Sequence, residues 1–351
     1  MWWEIAGTTT RSHAMQTIVL ERPGCLALTI RPKPERGLEE ALVRVCRVGV
    51  CGTDLHAFKG DQPFFDYPRV LGHELGVEVL AIPEGENRLT IGTRCAVEPY
   101  LNCGICIACR EGFTNCCSKL QVLGVHRDGG MLEYLTVPIN KLHPSKSLSA
   151  DQLALVEPLS IGAHAVERAQ LRPSETVLVL GLGPIGLSVI QFARLAGSRL
   201  LALDINLNRL EFARKNFGVA EIILSRGDDE AEIRRANAGE LPTAIFDATG
   251  NPQSMNQSFN LVASGGRLIF VGLHQQEVKF RDAEFHRREL TLLASRNSTS
   301  VDFRNIITLM EAGQIQVDSW ITHRVSHTEM MTQFPSWLSQ QPELIKAIVE
   351  W

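Results

Sequence analysis

The feature that most constrains this chain is a short apolar segment that leads directly into closely spaced glycines. Residues 176–180 (Thr-Val-Leu-Val-Leu) predict a buried strand, and Gly-Leu-Gly-Pro-Ile-Gly follows at residues 181–186, before an apolar helical segment. A second apolar segment, residues 199–203, ends at Asp204. A strand, a tight glycine turn, a helix and a second strand that ends in an acid together predict a dinucleotide-binding βαβ unit.

The glycine turn predicts which residues contact the dinucleotide. Its glycines let the backbone approach a pyrophosphate at the start of a helix. Asp204 can bind both ribose hydroxyls and would repel a 2′-phosphate, so NAD is favoured over NADP, although Arg209 nearby keeps the phosphate alternative open. The predicted contacts in this unit are Gly181, Gly183, Pro184, Ile185, Gly186, Asp204 and Arg209.

Strand and helix patterns continue to alternate up to about residue 294. Six strands joined by helical crossovers predict a doubly wound parallel sheet, and therefore an α/β protein. Ligands of such sheets bind beyond the carboxyl ends of the strands, so the residues that follow the later strands are expected to line the cofactor cleft. These residues are Thr249, Val271, Gly272, Ser295, Arg296 and Asn297.

The first half of the chain has a different pattern. Short alternating apolar segments bounded by Gly and Pro, such as residues 41–45 and 76–80, predict a compact β-rich domain. A helix near residues 302–312, polar turns with proline and a final segment at 344–350 are expected to return to it. The predicted division is therefore 15–157 and 297–351 for the β-rich domain and 158–296 for the nucleotide-binding domain. Residues 1–14 are predicted to be a disordered extension.

Composition and charge exclude several classes of function. The chain has 35 basic and 39 acidic residues, a net charge of −4, which does not indicate a nucleic-acid partner. The longest apolar stretch, residues 177–190, is interrupted by glycine and proline and does not predict a membrane span. Residues 1–14 do not have the pattern of a signal peptide. We therefore expect a cytoplasmic protein whose cysteines stay reduced.

Five of the nine cysteines lie between residues 103 and 117, and their spacing indicates a metal site. The pattern C-x2-C-x2-C-x7-C suits four thiolates that converge on one zinc ion and leave no position for water, which is typical of a structural site. An iron–sulfur cluster uses similar triplets, but proline usually follows its fourth cysteine, and here Ser118 follows. Cys116 is an alternative to Cys117 as the fourth ligand. The predicted ligands in this lobe, residues 98–118, are Cys103, Cys106, Cys109 and Cys117.

Three other residues are candidate metal ligands, but each has an ordinary explanation on its own. Cys51 begins the segment Cys-Gly-Thr-Asp-Leu-His, which could open a short helix, yet a lone Cys after an apolar segment is usually an inert buried thiol. His73 lies between two glycines and could equally be a core histidine. Glu157 precedes proline in an apolar segment, and a salt bridge to an arginine would explain its burial.

Taken together and in this order, the motifs resemble those of the zinc-containing medium-chain dehydrogenase/reductase family of alcohol, polyol and sugar dehydrogenases. The resemblance spans residues 16–351 and rests on residues 51–56, 72–74, the four cysteines, 157–158 and the glycine turn. It implies a GroES-like catalytic domain, a Rossmann NAD-binding domain, two zinc ions per chain, and a homodimer or homotetramer. Zinc-free quinone reductases and non-enzymatic relatives, which share the fold but lack the ligands, are the alternative from another class.

The resemblance also implies how the site residues act. Cys51, His73 and Glu157 would hold the catalytic zinc, and Glu74 would ligate the metal or support it from behind. The alcohol-oxidising branch has Cys where this chain has Glu157, so the resemblance is nearer to polyol and sugar dehydrogenases.

The same resemblance assigns the proton path and leaves two residues open. Thr53 would take the proton of the substrate hydroxyl and pass it, through the nicotinamide ribose, to His56, which would release it to solvent. Asp54 is given no role beyond capping the local turn. Lys346 would approach the pyrophosphate of the cofactor or remain a solvated surface side chain.

Shorter phrases resemble bacterial sugar-acid dehydrogenases of the L-galactonate 5-dehydrogenase type. These phrases are residues 62–69, 124–130, 285–286, 295–297 and 322–324. The predicted reaction is hydride transfer from a secondary hydroxyl of a sugar acid to NAD, and a polyol (sorbitol-type) or L-threonine dehydrogenase is the alternative. Arg296 would clamp the substrate carboxylate, unless it contacts NAD instead. Phe58 and His126 are further candidate substrate contacts.

Overall fold

The computed structural model describes residues 14–63, 65–338 and 343–351. The predicted disordered extension therefore lies outside the described residues, except for Ala14, which belongs to the first strand. Within the described part of the chain, no helix combines the length and the apolar character that crossing a membrane requires.

The strands are, in chain order, β1 (Ala14–Arg22), β2 (Cys25–Pro32), β3 (Glu40–Val50), β4 (Glu74–Ala81), β5 (Arg94–Val97), β6 (Tyr100–Leu101), β7 (Gln121–Val122), β8 (Tyr134–Pro138), β9 (Leu142–Ser145), β10 (Thr176–Leu180), β11 (Arg199–Asp204), β12 (Glu221–Leu224), β13 (Ala244–Asp247), β14 (Arg267–Phe270), β15 (Thr291–Ala294), β16 (Ile321–Ser326) and β17 (Lys346–Glu350). The α-helices are α1 (Gly52–Lys59), α2 (Ile107–Arg110), α3 (Ala150–Ala154), α4 (Val156–Ala169), α5 (Pro184–Leu195), α6 (Leu207–Phe217), α7 (Asp229–Ala236), α8 (Pro252–Leu261), α9 (Asp282–Arg287), α10 (Ser300–Glu311) and α11 (His327–Trp337). Short 3-10 helices cover Thr114–Cys116, Ile139–Lys141 and Asp318–Trp320.

The β-rich part of the molecule is built on a seven-stranded mixed sheet. Its strand order is β16-β17-β3-β4-β5-β9, with β8 beside β3. Strands β16 and β17 are parallel, and the other neighbours are antiparallel. Strand β17 pairs with β3, so the C-terminal segment lies next to the strand that leads into Cys51.

The second sheet is parallel throughout, with the order β12-β11-β10-β13-β14-β15. The predicted α/β fold with a six-stranded, doubly wound parallel sheet is confirmed. The strand order reverses between β10 and β13, and ligands of such sheets bind in the crevice at this point. The glycine turn follows β10 at the same edge of the sheet.

Helix α4 connects the two sheets. Its apolar side chains belong to one hydrophobic core that also includes Tyr100 beside the mixed sheet and Val177 and Val179 of the parallel sheet. Helices α4 and α5 pack side by side, and Gly162 of α4 faces Ser188 of α5 so closely that an added Cβ would lie 2.2 Å from the serine hydroxyl. The first turn of α4 carries Glu157, so the helix that joins the sheets also delivers a candidate ligand.

Helix α11 differs from the polar turns with proline that were predicted between residue 312 and the final segment, and it contains Pro335. Ser326 and Glu329 form a capping box at its start. Met330, Phe334 and Trp337 are buried at helical spacing on one face. The helix therefore forms because its cap and apolar face outweigh a proline near its end.

Candidate active site

Cys51 lies where β3 ends and α1 begins. The preceding residues of β3, Val48 to Val50, are buried, so the thiol is held at the edge of a core strand. The backbone N–H of Cys51 donates to Asp54 Oδ2 at 2.9 Å, and together they form a capping box. The prediction of a short helix at this segment is therefore confirmed.

Asp54 also contacts the segment that carries His73. Its Oδ1 accepts a hydrogen bond from the backbone N–H of Gly72 at 3.3 Å and lies 3.8 Å from His73 Nδ1. Burial would lower the pKa of His73, but the charges of Asp54 and Cys51 raise it well above its ordinary value. Asp54 thus does more than cap a turn, because it places negative charge behind the ring of a candidate metal ligand.

The ligand atoms of Cys51, His73 and Glu74 lie within 4.8 Å of one another. Glu157 is outside this compact group but close to it, since the charges of His73 and Glu74 both act on its carboxylate. Burial raises the pKa of Glu157 to about 6. A thiol, an imidazole and carboxylates at this separation form a donor set that suits zinc.

Tyr100 supplies the buried partner that Glu157 needs. The phenol donates a short hydrogen bond to Glu157 Oε1. Burial, followed by the charge of Glu157, raises the pKa of Tyr100 well above its ordinary value. The arginine salt bridge considered from the sequence is not formed by any residue in the described ranges.

Lys346 forms an ion pair with Glu74, the carboxylate that follows His73. The ammonium also donates to the carbonyl of Val50 at 3.1 Å, immediately before Cys51. The expectation of a solvated surface side chain is wrong, because Lys346 is fully buried.

The candidate proton path follows one turn of α1. Thr53 is half-buried in the first turn, and His56 is exposed one turn further along. The Nδ1 atom of His56 lies 2.8 Å from Asp61 Oδ1, whose other oxygen binds Lys59 at 2.9 Å. Thr53 therefore lies two residues after Cys51 in the same helix, and the imidazole of His56 is at the surface.

The cysteine lobe brings together the four thiols that its spacing predicted. The sulfur atoms of Cys103, Cys106, Cys109 and Cys117 lie within 4.8 Å of one another. Backbone N–H groups of Cys103 and Lys119 donate to Cys117 Sγ at 3.2 and 3.3 Å. Hydrogen bonds from the Cys109 and Ser118 backbone lower the pKa of Cys106 to about 5.

The contacts at Cys106 favour its thiolate, whereas burial raises the pKa of Cys117 to about 11. Four sulfur atoms at this separation fit a tetrahedral zinc ion, which binds cysteines as thiolates. Cys116, the alternative fourth ligand, is exposed and is not part of the group.

The glycine turn leaves room where a dinucleotide is expected. Gly181 has a φ of +83°, and an added Cβ would lie 2.9 Å from Thr249 Cγ2. A Cβ on Gly186 would lie 1.8 Å from the Gly181 carbonyl oxygen, whereas one on Gly183 would meet nothing within 4 Å. Gly183 therefore faces open space at the start of α5, which fits an approaching pyrophosphate.

The remaining predicted cleft residues lie at the carboxyl ends of the central strands. Asp247, the last residue of β13, accepts hydrogen bonds from Thr249 N and Oγ1 at 2.9 and 2.6 Å. A Cβ on Gly272 would lie 2.3 Å from Gly250 N, so the segments after β13 and β14 are in close contact. Asp204 ends β11, where its Oδ2 accepts from Leu182 N at 2.6 Å.

The predicted substrate residues do not all face the cleft. Phe58 is 6% exposed and packs on Phe334 with ring centroids 5.2 Å apart, so its place in the hydrophobic core argues against a substrate contact. His126 and Arg296 are exposed. Partial burial, and then the charges of Arg296 and Arg69, lower the pKa of His126, which places two guanidinium groups near this ring.

Several residues of the site were missed or misjudged in the sequence. Tyr100, Lys346 and the lobe residue Asn115 contact candidate functional groups from 57, 272 and 181 positions away. A single buried polar side chain makes no periodic pattern in the sequence, so no sequence signal was available for Tyr100 or Asn115. Lys346 follows the apolar pair Leu344 and Ile345, which could have indicated a buried strand.

Comparisons with known proteins agree with this geometry. The family model for an alcohol dehydrogenase GroES-like domain matches residues 37–147, and that for a zinc-binding dehydrogenase matches residues 184–312. The predicted GroES-like and Rossmann folds are confirmed by these matches.

Curated relatives and solved structures match almost the whole chain. L-galactonate-5-dehydrogenase of Escherichia coli K12 is 40% identical over 95% of this chain and 98% of its own. Sorbitol dehydrogenase of Bacillus subtilis 168 is 33% identical over 77% of this chain and 78% of its own. An alcohol dehydrogenase of Escherichia coli CFT073, solved with NADH, has a TM-score of 0.90 at 29% identity, covering 97% of this chain and 100% of its own.

Proposed function

Because the chain belongs to the zinc-binding alcohol dehydrogenase family, we propose that it oxidises a secondary hydroxyl of a sugar acid and transfers the hydride to NAD. The observation that carries the chemistry is the group formed by half-buried Cys51 and buried His73 and Glu74, with Glu157 beside it. The 40% identity to L-galactonate-5-dehydrogenase supports the choice of substrate class.

We propose that Cys51, His73 and Glu157 hold the catalytic zinc. Both oxygens of Glu74 accept from the Lys346 ammonium, at 2.6 and 2.7 Å, so the charge of this carboxylate is already neutralised. Glu157 has a phenol on one oxygen and keeps its other oxygen for a metal. Glu74 then supports the site from behind rather than as a ligand.

The chain's own residues orient the substrate and move its proton. Bound zinc would act as a Lewis acid on the substrate hydroxyl, and NAD would accept the hydride. Thr53, two residues after Cys51, presents its hydroxyl beside the metal-binding group. His56 receives the proton at the surface and releases it to solvent, with Asp61 orienting its ring at 2.8 Å.

We assign the recognition of the carboxylate to Arg296. Its guanidinium is exposed at the end of β15, on the edge where the parallel sheet binds ligands. The charges of Arg296 and Arg69 both act on the His126 ring, so Arg69 adds a second positive charge to this region. A planar guanidinium matches a carboxylate with two parallel hydrogen bonds, which a neutral polyol cannot form.

The test is a panel of sugar acids, neutral polyols and L-threonine, assayed with NAD and with NADP. We expect sugar acids with NAD to give the highest kcat/KM. The variants Cys51→Ser and His73→Ala should abolish turnover, and Arg296→Lys should slow sugar acids much more than polyols. Full turnover by the two ligand variants would contradict the metal site, and equal slowing of both substrate classes by Arg296→Lys would contradict the carboxylate contact.

A neutral polyol is the second candidate substrate. The identity to sorbitol dehydrogenase and the glutamate at position 157 both favour it. If sorbitol or a related polyol outperforms every sugar acid in the panel, this alternative is correct, and Arg296 then contacts NAD.

Metal analysis tests the remaining alternative, a zinc-free relative. Our proposal requires two zinc ions per chain, one at Cys51 and one in the cysteine lobe. The alternative requires none.

We further propose a homodimer or homotetramer. Strand β15 forms an edge of the parallel sheet in the described chain, and its Leu292 is exposed. Pairing of two such edges across a two-fold axis would cover this side chain. Sedimentation of the purified chain would test the assembly.

A further inference from the structure

We propose that Asn115, in the cysteine lobe, is a positioning residue that fixes the peptide carrying Arg296. The inference deepens the proposed function, since it depends on Arg296 for its effect on substrate. It makes the lobe part of the substrate site as well as a structural element.

Asn115 joins two distant segments through its side-chain amide. It lies in the 3-10 helix immediately before the lobe ligand Cys117 and is 2% exposed. Its Nδ2 atom donates to the carbonyl oxygen of Arg296 at 2.8 Å and lies 3.1 Å from His164 Nε2. The amide has two hydrogens, and these two contacts use both of them.

The histidine in turn holds the amide in place. His164 Nδ1 lies 3.2 Å from Asp302 Oδ2. The Asp302 carboxylate beside Nδ1 favours the neutral tautomer with its hydrogen on that atom, and Nε2 then accepts from Asn115. Asp302 is itself fixed by the backbone N–H of Thr299 at 2.7 Å. A continuous chain of contacts therefore runs from α10 through α4 to the lobe.

The contact on Arg296 differs from the others that hold this segment. Ser298 Oγ lies 2.6 Å from Ser160 Oγ, and Ser300 donates to Glu98 at 2.5 Å. These contacts fix the segment on its C-terminal side, after Asn297, which has a φ of +50°. Asn115 is the residue that fixes the carbonyl of Arg296 itself, and thus the direction in which its exposed side chain leaves the backbone.

The direct test measures how reactive Arg296 is toward phenylglyoxal, with labelling quantified by peptide mass spectrometry. Asn115→Asp is nearly isosteric but removes both donors, and Asn115→Ser is neutral and too short to reach the carbonyl. We expect both variants to change the labelling rate of Arg296 at least three-fold, while exposed Arg304 on α10 keeps its rate. Lys119→Ala, an exposed change in the same lobe, should leave both arginines unaffected. An unchanged rate at Arg296 in both variants would overturn the proposal.

A double-mutant cycle separates positioning from a general structural role. We expect Asn115→Ser to lower kcat/KM for the best sugar acid about ten-fold, mainly through KM, with zinc content unchanged. In the Arg296→Lys background, Asn115→Ser should lower kcat/KM less than two-fold, because the side chain that Asn115 positions is already altered. Independent, multiplying effects would show that Asn115 acts elsewhere. If Arg296→Lys alone does not distinguish acids from polyols, the proposed substrate class fails, but the labelling result still decides the role of Asn115.

Discussion

The ammonium of Lys346 lies 2.6 Å from Glu74 Oε1 and 2.7 Å from Oε2, and each side chain is 1% exposed. The pair connects the last strand, β17, to the residue that follows His73. Each charge is costly to bury alone, so the two side chains stabilise each other behind the metal-binding group. The C-terminal strand therefore contributes to the electrostatics of the candidate active site.

We predict that Lys346→Met destabilises the protein by about 3–5 kcal/mol, since it leaves a buried carboxylate without a partner. Urea unfolding followed by fluorescence measures the loss. Lys59→Met, at an exposed lysine, is the matched control and should change the stability by less than about 0.5 kcal/mol. The double variant Lys346→Met with Glu74→Gln should recover much of the loss, because no unpaired charge remains. A loss below about 1 kcal/mol in the single variant would mean that the pair is not buried in solution.

A second prediction concerns the stability of the metal-free protein as the pH changes. The folded-state pKa of Glu157 is about 6, and that of an unfolded glutamate is about 4.3. Protonation therefore favours the folded state, and this contribution is full below pH ~4.3 and is lost as the pH rises through ~6. The difference corresponds to about 2 kcal/mol, of which about 1 kcal/mol falls between pH 5 and pH 7.5.

Urea unfolding of the zinc-stripped protein at pH 5 and pH 7.5 tests this prediction. Glu157→Gln cannot titrate, so its stability should fall less than that of the wild type over the same interval. With saturating zinc, the stability of the wild type and that of the variant should change equally with pH, since a metal-bound carboxylate stays ionised. If the stability of the zinc-stripped wild type and that of the variant fall equally between pH 5 and pH 7.5, the raised pKa of Glu157 is contradicted.

We predict that His56→Ala lowers kcat about ten-fold. General acid–base groups typically contribute 10²–10⁴-fold, but this imidazole is exposed and water can partly replace it. Added imidazole should therefore restore part of the rate. Lys59→Ala is the control, because Lys59 binds the same Asp61 as His56 does. Full activity of His56→Ala without added imidazole would exclude it from the proton path.

Much of the fold could be predicted because its signals are local. The strand before Gly181, the glycine turn and the acid at position 204 lie within one βαβ unit, and each repeats a pattern that physical chemistry links to one structure. The four lobe cysteines lie within 15 residues, so their spacing alone predicted that the thiols would be close together. Cys51 had no such local signal, since a lone cysteine after an apolar segment also suits an inert buried thiol, and only the family resemblance made it a candidate ligand.

The rest depends on contacts between distant segments. Tyr100 reaches Glu157, and Lys346 reaches Glu74, only after the mixed sheet and α4 have assembled. Phe58 was misjudged as a substrate contact because its exposure depends on α11, whose Phe334 covers it. Asp54 appeared to be only a cap because its second oxygen is directed toward Gly72 and His73, which lie in the segment before β4.

The cysteine lobe gives a prediction about metal content. Cys109→Ser should lower the zinc content from two ions per chain to one and lower Tm, since three thiolates no longer close the site. Cys116→Ser should change neither quantity, because Cys116 is exposed and outside the group of four. Inductively coupled plasma spectrometry and thermal unfolding provide the two measurements. Loss of zinc in the Cys116 variant would instead make it the fourth ligand.

The last prediction uses two glycines of the same turn that differ in their surroundings. In Gly186→Ala the new methyl group would lie 1.8 Å from the carbonyl oxygen of Gly181, where the backbone must shift. We expect this variant to lose about 3 kcal/mol of stability. In Gly183→Ala the methyl group would meet nothing within 4 Å, and the φ of −68° suits alanine, so folding should be unaffected.

The same Gly183→Ala methyl group would, however, occupy the space at the start of α5 that the pyrophosphate is expected to enter. NADH binding, measured by fluorescence titration, should therefore weaken at least ten-fold although urea unfolding shows a stable protein. Gly197→Ala offers no comparable control, because its φ of +79° would strain any side chain. If Gly183→Ala binds NADH as tightly as the wild type does, the cofactor does not approach the chain at this turn, and the cleft must be sought elsewhere along the edge of the sheet.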